Sequence, residues 1–207
     1  MKTIKSFALA ICTLALPTSL AFSAPNINEV QIRSIQANGS GCPPGSTTDL
    51  ILDTDGSGSA DFFQLTFNRF FVERPGRIKK NCIVEVVLGL PQGWTFTIGD
   101  IEYAGYADVH PNHVGRLETD YRFPLFSNNV KTDLTLAGPF SDDYVKRDQI
   151  GISSLIFSPC GRTVPLNINT SIMLQQKLGT SGGYSFMDVE RQTGLFTEIL
   201  RLKWRRC

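Results

Sequence analysis

The sequence predicts an all-β protein: an antiparallel, two-sheet β-sandwich with long loops, stapled by two disulfides. Three observations lead there. Apolar and polar residues alternate with a period of two through most of the apolar stretches, the pattern of strands with one buried and one wet face. Clusters of Gly, Pro, Asn and Asp separate these stretches, as hairpins and loops of a sandwich require. Four cysteines, an even number, follow a segment that reads as an export signal, and an oxidising compartment pairs them.

Taken in order, Met1 to residue 21 reads as a secretory signal peptide that is cleaved. Lys2 and Lys5 form its basic start, Phe7 to Leu16 its apolar centre and Pro17 its end. Ser19-Leu20-Ala21 supplies the small residues of a cleavage site, with Ala21-Phe22-Ser23 as a nearby alternative. The apolar run is shorter than the roughly 20 residues of a membrane-spanning helix, and no second long apolar run follows. Residues 22–207 are expected to form a single secreted β-sandwich domain, since no repeat or linker divides them.

Without Lys2 and Lys5, 18 basic residues face 19 acidic ones. That balance excludes nucleic-acid binding and adhesion to anionic membrane, which both need surplus cation. Hydrophobic residues make up 42% of the chain, with 14 Phe, enough for a substantial core.

The remaining cysteines are Cys42, Cys82, Cys160 and Cys207. They allow three connectivities. The expected one is Cys42–Cys82 with Cys160–Cys207, because each pair flanks a compact strand-like stretch. A bridge closing a loop of roughly 40 to 50 residues contributes about 4 kcal/mol in the chain-entropy model. A bridge at Cys207 also pins a terminus that would otherwise fray.

Between the cysteines the strands follow one another. Phe63, Leu65, Phe67 and Phe71 share one parity, against Gln64, Thr66 and Asn68. Cys82 to Leu90 is more continuously apolar and is expected to lie centrally in its sheet. Trp94, Phe96 and Ile98 resume the alternation after the Leu90-Pro91-Gln92-Gly93 turn. Ser141 to Arg147 allows short helical turns. Leu166, Ile168, Thr170, Ile172 and Leu174 alternate with Asn167, Asn169, Ser171 and Met173. Phe196, Leu200, Leu202 and Trp204 alternate with Thr197, Arg201, Lys203 and Arg205.

Several pieces of this chain resemble one family: Gly41-Cys42-Pro43-Pro44-Gly45; a strand from Phe67 to Phe71; Lys79-Lys80-Asn81-Cys82 followed by an apolar strand and Pro91-Gln92-Gly93-Trp94; Tyr103-Ala104-Gly105-Tyr106-Ala107; Tyr121-Arg122-Phe123; and the terminal Leu202-Lys203-Trp204-Arg205-Arg206-Cys207. The order and spacing are similar to those of the uncharacterised secreted family known as domain of unknown function 4360. The resemblance implies export and disulfides. It brings no assigned activity and no catalytic residues. The chain departs from the family pattern at Lys79-Lys80, where Arg-Lys is commoner, and in its Asp- and Gly-rich turn.

That turn, Asp53 to Asp61, carries the sharpest local signal. Asp53, Asp55, Ser57 and Asp61 stand at positions 1, 3, 5 and 9 of a calcium loop, with Gly58 at position 6. Gln64 stands where the loop's bidentate Glu would be, and the flanks are strand-like, so a hairpin turn is the favoured reading. No cofactor is expected, with calcium the alternative. Asp108, His110 and His113 contain metal-ligand chemistry, but Pro111 and Asn112 mark a solvated loop. Asn38-Gly39-Ser40 and Asn169-Thr170-Ser171 are glycosylation sequons, relevant only in a eukaryotic host.

No nucleophile elbow on a strand-to-helix turn is expected, and His-Glu-x-x-His does not occur. Oxidised cysteines offer no thiol nucleophile. Paired acids such as Asp142-Asp143 suit a solvent-facing turn better than catalysis. Tyr103, Tyr106 and Tyr121, with Trp94, could form an aromatic platform, although alternation favours burial of Trp94, and Tyr103 and Tyr106 have opposite parity. The expected function is therefore a secreted, non-enzymatic binding or surface protein with an extracellular protein or carbohydrate as partner. The alternatives are a calcium-assisted carbohydrate-binding module, a small secreted hydrolase, and an effector or inhibitor.

Overall fold

The computed structural model describes residues 24–45, 48–68, 70–75, 78–161, 163–189 and 198–207. The segment read as a signal peptide, Gly76, Phe196 and Thr197 lie outside the described residues. Twelve strands are described: β1 (Gln31–Asn38), β2 (Thr48–Asp53), β3 (Phe62–Phe67), β4 (Phe71–Arg74), β5 (Lys79–Gly89), β6 (Trp94–Val109), β7 (His113–Arg122), β8 (Val130–Ala137), β9 (Phe140–Gln149), β10 (Val164–Gln176), β11 (Ser185–Asp188) and β12 (Glu198–Arg206).

These strands form two antiparallel sheets. One has the order β1-β5-β10-β7-β8, and the other β2-β3-β12-β6-β11-β4, with β9 paired to β6. The long β6 organises the second sheet. It pairs with β12 over Trp94–Tyr103, with β11 at Ala107 and Asp108, and with β9 over Asp100–Val109. The bridges are Cys42–Cys82 and Cys160–Cys207.

One apolar core draws on both sheets. Phe63, Phe96, Ile98 and Leu200 come from one, and Val84, Leu88, Leu117, Leu166 and Ile168 from the other. β10 shows why the alternation was informative. Leu166, Ile168, Thr170, Ile172 and Leu174 are all buried, while Asn167, Asn169, Ser171 and Met173 are partly exposed. β5 is flanked by β1 and β10, the interior position its apolar run suggests. It nevertheless buries one face only: Cys82, Val84, Val86 and Leu88 are buried, and Ile83 is exposed.

Two local expectations are corrected. Ser141 to Arg147 lies within β9, not in helical turns. Tyr144 is the one buried residue of that edge strand, so its sequence carries little period-two signal. Phe67 to Phe71 is not a continuous strand either. β3 ends at Phe67 and β4 begins at Phe71. Phe70 turns inward between them, edge-on to Phe67 at 5.0 Å, while its carbonyl accepts from the Val189 N–H.

Candidate functional site

At one end of the sandwich, connections from both sheets meet around Tyr184. The β10–β11 connection, residues 177–184, packs against the β6–β7 turn, residues 110–112. Polar side chains stitch the two together. The Asn112 amide donates to Ser181 O (3.0 Å), the Thr180 hydroxyl donates to Asn112 O (3.3 Å), and the Lys177 ammonium donates to Pro111 O (2.5 Å). The Gln176 amide adds a bond to Thr180 O. A glycine is required at 183: its φ is +102°, and a Cβ there would stand 2.5 Å from the His110 ring. Gly138 also approaches His110 too closely for a side chain, with a Cβ position 1.9 Å from His110 O. The result is an end whose backbone is held before any ligand arrives, which lowers the ordering cost of binding.

Tyr184, 54% exposed, stands between two cavities. One, of about 750 Å³, is lined by Arg74, Ile78, Gln176 and Gly183 besides Tyr184. The other, of about 420 Å³, is lined by Asp108, His110, Phe140 and Ser141. Both lie within the ~300–1,000 Å³ typical of small-molecule sites. The rim of the second continues to Tyr106, whose hydroxyl is 3.2 Å from the Ser141 hydroxyl. A half-exposed phenol ring is thus surrounded by a guanidinium, a carboxylate, an imidazole and hydroxyls.

Beneath this surface, Ser185 Oγ lies 2.6 Å from His113 Nδ1. The pair has the spacing of a nucleophile and its base, but its surroundings are those of a clamp. Both residues are buried, and Ser185 Oγ accepts from the His110 N–H (2.9 Å), which leaves its own proton for His113. Burial, followed by the charges of Arg74, His110 and Lys177, holds the His113 imidazole below its usual pKa. A neutral His113 suits this bond, with Nδ1 free to accept the Ser185 proton.

The tyrosines expected on a common platform separate. Tyr106 is partly exposed, but Tyr103 and Tyr121 are fully buried. The reason is that their hydroxyls find partners inside, as buried phenols usually do. Tyr121 donates to Ile98 O (2.8 Å) and lies 3.3 Å from the Thr97 hydroxyl, and burial pushes its pKa up to about 12. Tyr103 bonds to Thr132 Oγ1, and its pKa is raised by burial and by the charge of Glu198. Trp94 is buried, edge-on to Trp204.

The Asp53–Asp61 turn joins β2 to β3 and is held by its own donors. Asp61 Oδ2 accepts from Ser57 Oγ (2.9 Å), Asp55 N (3.0 Å) and Thr54 Oγ1 (3.1 Å). Asp55 accepts from Ser57 N (3.0 Å), and these hydrogen bonds lower its carboxyl pKa. Among the described residues, no group of three or more His, Cys, Asp or Glu side chains gathers where a metal ion could be held. The Asp53–Asp61 segment forms a hydrogen-bonded turn. Asp108, His110 and His113 form no metal-holding group either; His110 Nδ1 accepts from Asn112 N (3.1 Å), and His113 Nδ1 bonds to Ser185 Oγ.

Sequence reasoning missed two features. Tyr184 follows Ser181-Gly182-Gly183, and its neighbours at 74, 110, 141 and 176 are remote in the chain, so nothing local marks it. Glu198 is fully buried between the sheets. Thr170 Oγ1 donates to its Oε2 (2.8 Å), Thr119 Oγ1 lies 3.0 Å from Thr170 Oγ1, and Glu198 Oε1 has no hydrogen-bond partner. Burial raises its pKa to about 7, against the lowering effect of the Thr170 and Thr119 hydroxyls. The signal was present: Glu198 occupies the apolar parity of β12, shared with Leu200.

The chain is similar to an uncharacterized secreted protein of Arthroderma benhamiae, 27% identical over 190 residues, which covers 89% of this chain and 75% of the relative. Among solved structures, TmCBM61 in complex with β-1,4-galactotriose covers 88% of this chain and 95% of its own, with 8% identity and a TM-score of 0.31. The CBM22-1–GH10 modules of Clostridium thermocellum xylanase 10B, complexed with xylohexaose, cover 86% and 28%, with 9% identity and a TM-score of 0.29. The ligands in those complexes belong to those proteins. The family described as domain of unknown function (DUF4360) matches residues 28–207, and the chain belongs to it.

Proposed function

We propose that this chain acts as one secreted domain over residues 22–207, and that it is a non-enzymatic protein that binds carbohydrate at the Tyr184 end of the sandwich. One observation carries the reading: a half-exposed Tyr184 ring stands between two adjoining cavities on a backbone that is already fixed. Tyrosine offers an apolar face to a sugar ring and a hydroxyl to its rim. Arg74, Asp108 and Ser141 provide hydrogen-bonding groups on either side. The closest approach to a catalytic pair, Ser185 with His113, is enclosed beneath the surface. Export is supported by the secreted relative and by the two disulfides.

Affinity electrophoresis against a panel of soluble polysaccharides, followed by calorimetry with the matching oligosaccharides, tests this. The expected result is retardation by at least one polysaccharide, lost in Tyr184→Ala with the melting temperature preserved. Retardation by none, or retardation that Tyr184→Ala leaves unchanged, would refute it.

A further inference from the structure

A second cavity system lies away from Tyr184. Residues 151–161, between β9 and β10, run along β6, which accepts from Ser158 N and Gly161 N at Phe96 O and Trp94 O, and a groove of about 690 Å³ is lined by this connection and by β12. One wall is apolar and comes from the connection: Ile152, Leu155 and Phe157. The other is β12, with Leu202 and Trp204 offering apolar surface and Lys203 and Arg205 offering charge. Two anchors fasten the walls. Cys160 is bridged to Cys207 just beyond β12, and Ser158 N donates to Phe96 O (2.8 Å) on the strand beside it.

Three features of this groove are unusual for a surface that serves only to cover a core. Ile152 is 87% exposed at the groove's edge. Lys203 and Arg205 are exposed, and neither takes part in an ion pair among the described residues. Arg205 instead lays its guanidinium 4.0 Å from the Phe157 ring centroid, and Lys203 lies over Gly99. The one carboxylate in the lining, Asp61, is occupied by the three donors of its own turn. Among the described residues, the groove thus joins a partly exposed apolar wall to two cations outside any ion pair.

We infer that this groove binds a single-chain anionic amphiphile of the fatty-acid type, with the acyl chain along Ile152, Leu155 and Phe157 and the carboxylate between Lys203 and Arg205. Charge complementarity selects this occupant. An acyl chain alone leaves the cations unanswered, and a small anion alone leaves the apolar wall wet. The site is separate from the Tyr184 end, so either assignment can fail without the other.

The test is calorimetry on the mature chain, with Trp204 fluorescence as a second readout, using dodecanoate below its micellar concentration. Butyrate keeps the head and loses most of the tail, and dodecanol keeps the tail and loses the charge. Dodecanoate is expected to saturate at one per chain, with butyrate and dodecanol each at least about tenfold weaker. Lys203→Ala/Arg205→Ala should reduce dodecanoate to the level of dodecanol, and Ile152→Asp should abolish uptake. Ile83→Ala, an exposed apolar residue on the other sheet, should retain it. Equal affinity for dodecanol, or dodecanoate binding indifferent to the double variant, would overturn the proposal. So would a concentration-dependent dimer that Ile152→Asp dissolves without any dodecanoate uptake, since the groove would then belong to a second copy.

Discussion

Replacing Glu198 with glutamine should flatten the pH dependence of stability in one direction. In the fold the carboxyl has a pKa of about 7, against 4.5 for the exposed side chain. A raised carboxyl binds its proton more tightly in the native state, so its contribution to stability is fully present below about 4.5. The contribution is lost as pH rises through about 7. At about 1.4 kcal/mol per pKa unit, the gap between those two values corresponds to about 3 kcal/mol. The structural cause is plain: ionisation puts a charge between the sheets with one oxygen bonded to Thr170 and the other unpartnered. His113 works in the opposite sense. Its depressed pKa costs stability as pH falls through the unfolded imidazole value of 6.5, so the raw profile mixes both groups. The difference between wild type and Glu198→Gln isolates the carboxyl. Urea unfolding at pH about 4.5 and about 7.5 should show the wild type losing about 3 kcal/mol relative to the variant between the two. A difference that stays constant with pH would refute the burial of an ionisable Glu198.

Further outcomes follow from other parts of the molecule. Gly183→Ala should cost about 1–3 kcal/mol, through a positive φ and a collision with the His110 ring, and should weaken binding at the Tyr184 end; thermal melts and calorimetry measure both. Cys160→Ser/Cys207→Ser removes a bridge across 47 residues and should lower unfolding stability by about 4 kcal/mol in denaturant titrations. Tyr121→Phe removes the donor to Ile98 O inside the core and should cost about 1–2 kcal/mol, with no effect on ligand binding.

Much of the fold was legible because one sheet face is buried and the other is wet. β10 and β3 show this residue by residue, from Leu166 to Leu174 and from Phe63 to Phe67. β9 was not legible, because an edge strand with one buried side chain, Tyr144, gives alternation nothing to act on. The break between β3 and β4 was hidden by the continued parity of Phe71, although Phe70 is the residue that turns in.

The candidate site was much less legible. Tyr103 and Tyr121 read like surface aromatics because sequence does not reveal which hydroxyls will find buried partners at Thr132 and Ile98. The Asp53–Asp61 spacing offered a calcium loop beside the favoured hairpin turn because turn chemistry and cation chemistry use the same oxygens. Tyr184 became a candidate only when the β4–β5, β6–β7, β8–β9 and β10–β11 connections met at one end of the sandwich.

Amide chemical-shift mapping of the isotope-labelled chain during oligosaccharide titration tests the central claim most directly. The account predicts saturable shifts confined to residues 177–184, the 110–112 turn and the neighbours of Ser141. Shifts centred on the Asp53–Asp61 turn, or none with any saccharide, would contradict it.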